Sequence, residues 1–307
     1  MVSDRPSRTA ISVAQFLVSL SECPSTARLL APGVGRATLR MLEASDNLAP
    51  VGLRIFRPPK NYRSVFNYAL KAIPGQMFTI AVRKRFMEDE TRTAIMGGAR
   101  QVLAVGAGLD TLCLRLAKEY PGVQFVETDH PATSLPKQRA VQKMGDLSPN
   151  LHMVAVDLAQ VSLADTLDRH LAWDAGLQSV TMAEGVLPYL NADDVDRFFA
   201  TIHARSGPGS RLLVTHMRLD GKGKVWLGEL GPVQKAFLRL SGEKTRSGIP
   251  GGNARLFLEE RGYRLDESAL DLRKRFLVPN GWGDAPLGEA ELLLAADRVR
   301  RRKGEGD

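Results

Sequence analysis

Two cysteines, Cys23 and Cys113, are all that 307 residues contain, which rules out a disulfide framework and suits a reducing cytoplasm. Long apolar runs are missing as well, and no stretch approaches the roughly 18 residues of a spanning helix, so no membrane association is expected. Ala10 to Leu20 follows Arg5 and Arg8, yet Gln15 and the serines interrupt it, Asp4 sits in its basic flank and no small-x-small cleavage site follows. It predicts an amphipathic helix with Ile11, Ala14, Leu17 and Val18 on one face rather than a signal peptide. Aromatic residues make up only 6%, and few lie among the basic ones. The net charge of +8 is therefore no RNA-binding platform and no nucleic-acid partner is expected; part of it is the run Arg298 to Lys303, read as a solvated tail. No His, Cys and acid cluster has metal-ligand spacing, so no metal is expected, and neither G-x-S-x-G nor a P-loop occurs.

What remains is an ordinary globular composition, 44% hydrophobic and 25% charged, at a length that fits one α/β domain with an added lobe. The first hundred residues read as helices broken at Pro24, Ala31 to Gly35, Pro50 to Gly52, Pro58-Pro59 and Pro74-Gly75. They predict a helical cap over residues 1–95, followed by a sheet domain over 96–297 and a basic tail over 298–307. Strand candidates in the sheet domain are VLAV, VQFVET, HMVAVDL, SVTMAEG and RLLVTHM, alternating with helices. An insertion over the substrate side is expected at about 217–252, with a helix-like stretch from Pro232 to Leu240, and Asn253 to Arg261 resumes an amphipathic helix. YRLDESAL and the run Phe276-Leu277-Val278 are compatible with a final strand pair, while Glu291 to Ala296 fits strand or helix.

The most informative stretch is Gln101 to Pro131: strand, glycine turn, helix, strand, acids. At Gly106-Ala107-Gly108 a ligand can lie against bare backbone and the positive end of the next helix. Glu127 and Asp129 arrive about twenty residues later, the distance at which a carboxylate holds ribose hydroxyls. The third glycine of the dinucleotide fingerprint is replaced by Leu112, which disfavours a pyrophosphate and favours an adenosine ligand without one, such as S-adenosylmethionine (SAM). Acids recur at four strand ends: Asp110, then Glu127 and Asp129, Asp157, and Glu184. Any one could be a helix cap; their recurrence suits a ligand with hydroxyl, amino and cationic groups.

GAGLDT, Glu127-Thr128-Asp129-His130-Pro131 with Lys137, Val156-Asp157-Leu158, and AEGVLPYL at Ala183 to Leu190 together resemble the leucine carboxyl methyltransferase family. That family includes bacterial O-methyltransferases of polyketide biosynthesis. The resemblance runs from Arg8-Thr9-Ala10 to about Tyr263. It implies a class I SAM-dependent methyltransferase fold, an α/β Rossmann-like sheet with a helical cap. It also implies that Arg83 grips the methionine carboxylate, that Gly106 and Gly108 back the same end, and that Asp129, or Glu127, holds the ribose. Asp157 and Leu158 would flank the adenine, and Glu184 would face the amino or sulfonium side. Many members carry an arginine after the Asp-Leu pair, which holds a substrate carboxylate in the leucine carboxyl methyltransferases; here Ala159 stands there, so carboxyl methylation is not implied.

A hydroxyl acceptor needs a general base, and Tyr189, His216 and His130 are the candidates near strand ends. The reading is O-methylation of a small bacterial metabolite. Two alternatives remain open: intramolecular cyclisation of SAM to a four-membered cyclic amino acid (azetidine-2-carboxylate) with release of methylthioadenosine, and SAM binding without catalysis.

Overall fold

The computed structural model describes residues 6–45, 75–170, 172–226 and 245–299. The turns expected between Pro50 and Pro74, the stretch Pro232 to Leu240 and the tail from Arg300 onward lie outside the described residues.

The apolar runs become strands β1 (Gln101–Val105), β2 (Gln124–Asp129), β3 (Leu151–Ala155), β4 (Ser179–Ala183) and β5 (Arg211–Leu219). All five are parallel, in the order β3-β2-β1-β4-β5. β1 and β4 are buried along their whole length, as central strands covered on both faces should be. Two-residue β6 (Ile249–Pro250) pairs with the end of β5. β7 (Tyr263–Leu265) closes the sheet beyond β8 (Glu291–Arg298), which runs antiparallel between β5 and β7. The ambiguity at Glu291 to Ala296 thus resolves as strand. Phe276-Leu277-Val278 does not: Arg273–Leu277 forms a π turn and Val278–Asn280 a 3-10 turn, ended by Gly281 at φ 77°. Pro279 has no N–H to give a ladder, and burial of Phe276 and Leu277 needs no strand.

Before the sheet come α1 (Arg8–Glu22), α2 (Pro24–Ala27), α3 (Val34–Ala44) and α4 (Gln76–Met96). Ser7 caps α1 through its hydroxyl, which accepts the Ala10 N–H. Ala14, Leu17 and Val18 are buried as the periodicity predicts. Between strands lie α5 (Leu112–Glu119), α6 (Pro131–Lys143), α7 (Leu163–Asp168) and α8 (Ala192–Ala204), followed by α9 (Ala254–Glu259). One face of the sheet packs on α1, α4 and α5, the other on α7, α8, α9 and Tyr263.

α4 carries more charge than a buried helix normally tolerates, and each described charge inside it is paired. Buried Glu88 meets Arg92 and Arg115, and buried Glu90 meets Arg211 at the start of β5 and Arg275. One turn nearer its start, Arg83 and Lys84 meet acids at the opposite, carboxyl ends of the strands. α4 is thereby clamped along the sheet, and its Arg83-Lys84 turn is held at the edge where ligands of open α/β sheets bind.

Candidate cofactor and active site

After β1 the chain turns through Gly106 (φ 65°) and Gly108 (φ 53°). The N–H groups of Gly106 and Ala107 both donate to the Thr128 carbonyl, at 2.8 and 3.1 Å. A Cβ on Gly106 would lie 2.5 Å from Val186 Cγ2, so that position takes no side chain unless Val186 shifts. Gly108 donates to Asp129 Oδ2, and Asp129 Oδ1 accepts the His130 N–H. The carboxylate at the end of β2 therefore holds the glycine turn in shape. Burial raises the Asp129 carboxyl, with these two N–H groups pulling against it.

The turn is the floor of a cleft of about 410 Å³, within the ~300–1,000 Å³ range of small-molecule sites. It opens between β1 and β4, where the strand order reverses. Arg83, Lys84, Asp110, Asp129, Glu184 and Tyr189 line it together with Gly106 and Gly108, and Ala10, Val13, Ala14 and Leu17 of α1 with Val186 and Leu190 form an apolar wall. A smaller cavity of about 50 Å³ continues beneath the turn to Cys113 and Glu127.

The charged groups form one network. Arg83 Nε lies 2.8 Å from Glu184 Oε1, an ion pair short of an aligned hydrogen bond, and Nη1 donates to both oxygens of Glu291 at 3.0 and 2.8 Å. Lys84 Nζ bridges Asp110 at 2.6 Å and Glu184 at 2.8 Å. Burial alone would lower the Arg83 and Lys84 values; Glu291 and Glu184 for Arg83, and Asp110 and Glu184 for Lys84, more than reverse it. Burial likewise works to raise the Asp110 carboxyl, but Lys84 overrides it and holds Asp110 well below the usual carboxylate range. Arg83 and Glu184 present opposite charges side by side, the mirror image of an amino acid's carboxylate and ammonium.

Several expected residues lie elsewhere. Glu127 is 4% exposed, forms a 2.6 Å ion pair with buried Lys137 and does not line the main cleft; burial raises its carboxyl despite the lysine. Of the two acids Glu127 and Asp129, only Asp129 is in the lining of the main cleft. Asp157 closes its own turn, accepting the Ala159 N–H at 3.0 Å, and faces His130 Nε2 at 3.8 Å. With half-exposed Leu158 it stands beside the cleft rather than in its described lining. His130 caps α6, its Nδ1 accepting the Ala132 N–H.

His216 is fully buried on the α9 face of the sheet against Phe257, with neither ring nitrogen hydrogen-bonded to a described residue. Burial and the charge of Arg261 depress its value to about 4. Pointing away from the cleft, it has no route to an acceptor there, and the sequence reading of it as a base is corrected. Among the described residues no group of three or more His, Cys, Asp or Glu is placed to hold a metal, and no helix is long and apolar enough to cross a membrane.

Residues 55–203, just under half the chain, match the family model "Leucine carboxyl methyltransferase". A "Putative S-adenosyl-L-methionine-dependent methyltransferase" of Parafrankia sp. is 35% identical over 47% of this chain and 44% of its own length. One of the same description from Mycobacterium bovis is 34% identical over 47% of this chain and 46% of its own. The chain thus spans less than half the length of the curated relatives it matches. A solved structure described as a "putative methyltransferase" from Thermobifida fusca superposes with a TM-score of 0.51 over 78% of this chain and 89% of its own, at 17% identity. The fold is the class I methyltransferase sheet that the motifs imply.

Proposed function

We propose, from the premise that the chain carries the leucine carboxyl methyltransferase pattern, that it is a SAM-dependent O-methyltransferase acting on a small bacterial metabolite. The observation that carries this reading is the Arg83–Glu184 pair facing the glycine turn and Asp129 across one cleft. The amino-acid and ribose groups of SAM have candidate counterparts there. Arg83 would take the carboxylate, Glu184 the ammonium or sulfonium side, Asp129 the ribose hydroxyls, and the bare backbone at Gly106 and Gly108 the close approach. Asp157 and Leu158, one loop away, would flank the adenine. The names of the relatives agree with this chemistry and lend no support to cyclisation or to binding without catalysis.

When bound, SAM supplies an electrophilic methyl group on positively charged sulfur. The protein's part is alignment and exclusion of water: the apolar wall of Val13, Ala14, Leu17, Val186 and Leu190 bounds the space beside the charged groups. Tyr189 lies in a 3-10 turn on the lining, 38% exposed, and is the candidate base or orienting group for an acceptor hydroxyl. Ala159 offers no clamp for a carboxylate acceptor, which favours a hydroxyl.

Titration calorimetry of the full chain with SAM, followed by mass spectrometry against a panel of phenolic and alcoholic acceptors, tests the reading. Binding with acceptor-dependent formation of S-adenosylhomocysteine (SAH) is the expected result. Absence of SAM binding overturns it, and acceptor-independent methylthioadenosine would establish the intramolecular reaction instead.

A further inference from the structure

Glu291 opens β8, opposite Met217 of β5, and lies beyond the segment that matches the family model. Both its oxygens accept from Arg83 Nη1, although Arg83 already has Glu184 as a counter-ion. A neutral acceptor such as a glutamine amide oxygen would satisfy Nη1 equally well, so the second carboxylate adds charge that local bonding does not need.

Among the described residues the charge is not cancelled within the bonded cluster. In the bonded cluster of Arg83, Lys84, Asp110, Glu184 and Glu291, two cations face three carboxylates. The neighbouring described charges are matched in number among themselves: Lys137 with Glu127, and Arg115 and Arg92 with buried Glu88 and half-exposed Glu119. Asp129, across the glycine turn, adds another carboxylate and takes its described hydrogen bonds from backbone N–H groups alone. Without Glu291 the remaining four groups would be neutral; with it, the Arg83 side of the cleft is backed by a surplus negative charge in a largely desolvated place.

We propose that Glu291 is a specificity residue which, acting through Arg83, makes the cleft favour the sulfonium cofactor over its thioether product. The inference rests on the reading of the cleft as a SAM site. SAM carries one net positive charge, with sulfonium and ammonium against carboxylate, whereas SAH carries none. The two differ only at sulfur and its methyl group, so a surplus negative charge stabilises the first relative to the second. Methyl transfer removes the positive charge, and the same surplus then promotes release of the product.

The test is calorimetric affinity for SAM and for SAH, measured on the full chain as wild type, Glu291→Gln and Lys84→Met. The preference for SAM over SAH should fall by roughly fivefold to tenfold in Glu291→Gln. It should rise in Lys84→Met, which uncovers one more carboxylate and decides the matter even if the first variant does not fold. An unmoved ratio, with both affinities changing together, overturns the proposal and leaves Glu291 as a support for Arg83. If the wild type binds neither ligand, the SAM reading of the cleft falls, and this inference with it.

Discussion

The side chain of Asp129 is hydrogen-bonded to the backbone N–H of Gly108, so the acid that ends β2 and the turn that ends β1 form one unit. A ligand held by the carboxylate is held against the turn by the same contact.

Asp129→Ala should weaken SAM affinity by more than tenfold, because it removes a charge-assisted partner and releases the Gly108 N–H together. Asp129→Asn keeps an acceptor for Gly108 and should fall between. Calorimetry with SAM distinguishes them, and equal affinity in all three would remove Asp129 from the site.

Gly106→Ala should lower stability by about 2 kcal/mol or more, from the left-handed backbone and the approach to Val186 Cγ2. Adding Val186→Ala relieves only the second part. Thermal melts of the single and double variants check the split; an unchanged Tm in Gly106→Ala would mean that the turn relaxes freely.

Breaking the Glu127–Lys137 pair from either side should cost about 3–5 kcal/mol, since each change leaves a charge buried without its counter-ion. The double change Glu127→Leu with Lys137→Met should recover much of that loss. Urea unfolding of the three variants measures it, and additive losses would show that the groups are not coupled.

His216 is held neutral, its value falling from 6.5 to about 4 on folding, so between these pH values the unfolded chain binds the extra proton. Stability should therefore drop as pH falls through that window, by a contribution on the order of 3 kcal/mol, and be unaffected by this group above it. His216→Leu should flatten the acid limb of urea midpoints between pH 4.5 and 7 and leave turnover intact. A loss of turnover at unchanged SAM affinity would return His216 to the list of bases.

The parallel core was legible because its strands are short apolar runs ended by glycine and acid, and β1 to β5 fall where the runs do. Gly106, Gly108, Asp129 and Glu184 were legible for the same reason: the topology delivers strand ends to one edge. The face of the sheet was the harder question. His216 and Thr215 are adjacent, but strand alternation sends the imidazole to Phe257, while the Thr215 hydroxyl accepts the Gly185 N–H beside Glu184. Glu127 and Asp129 share a parity, yet only the lysine six residues after Pro131 shows which is spent internally. Lys84 was visible only as a neighbour of Arg83, and Glu291 gave no local signal, because its partner lies 208 positions away.

The antiparallel seating of β8 against β5 also bears on how the protein is made. A nascent chain that has emerged as far as β5 already holds the glycine turn, Asp129 and Glu184, but its last strand is a bare edge and Arg83 lacks one of its two counter-ions. β8 covers that edge and brings the second counter-ion with it, so closure of the sheet and completion of the Arg83 cluster depend on the same strand.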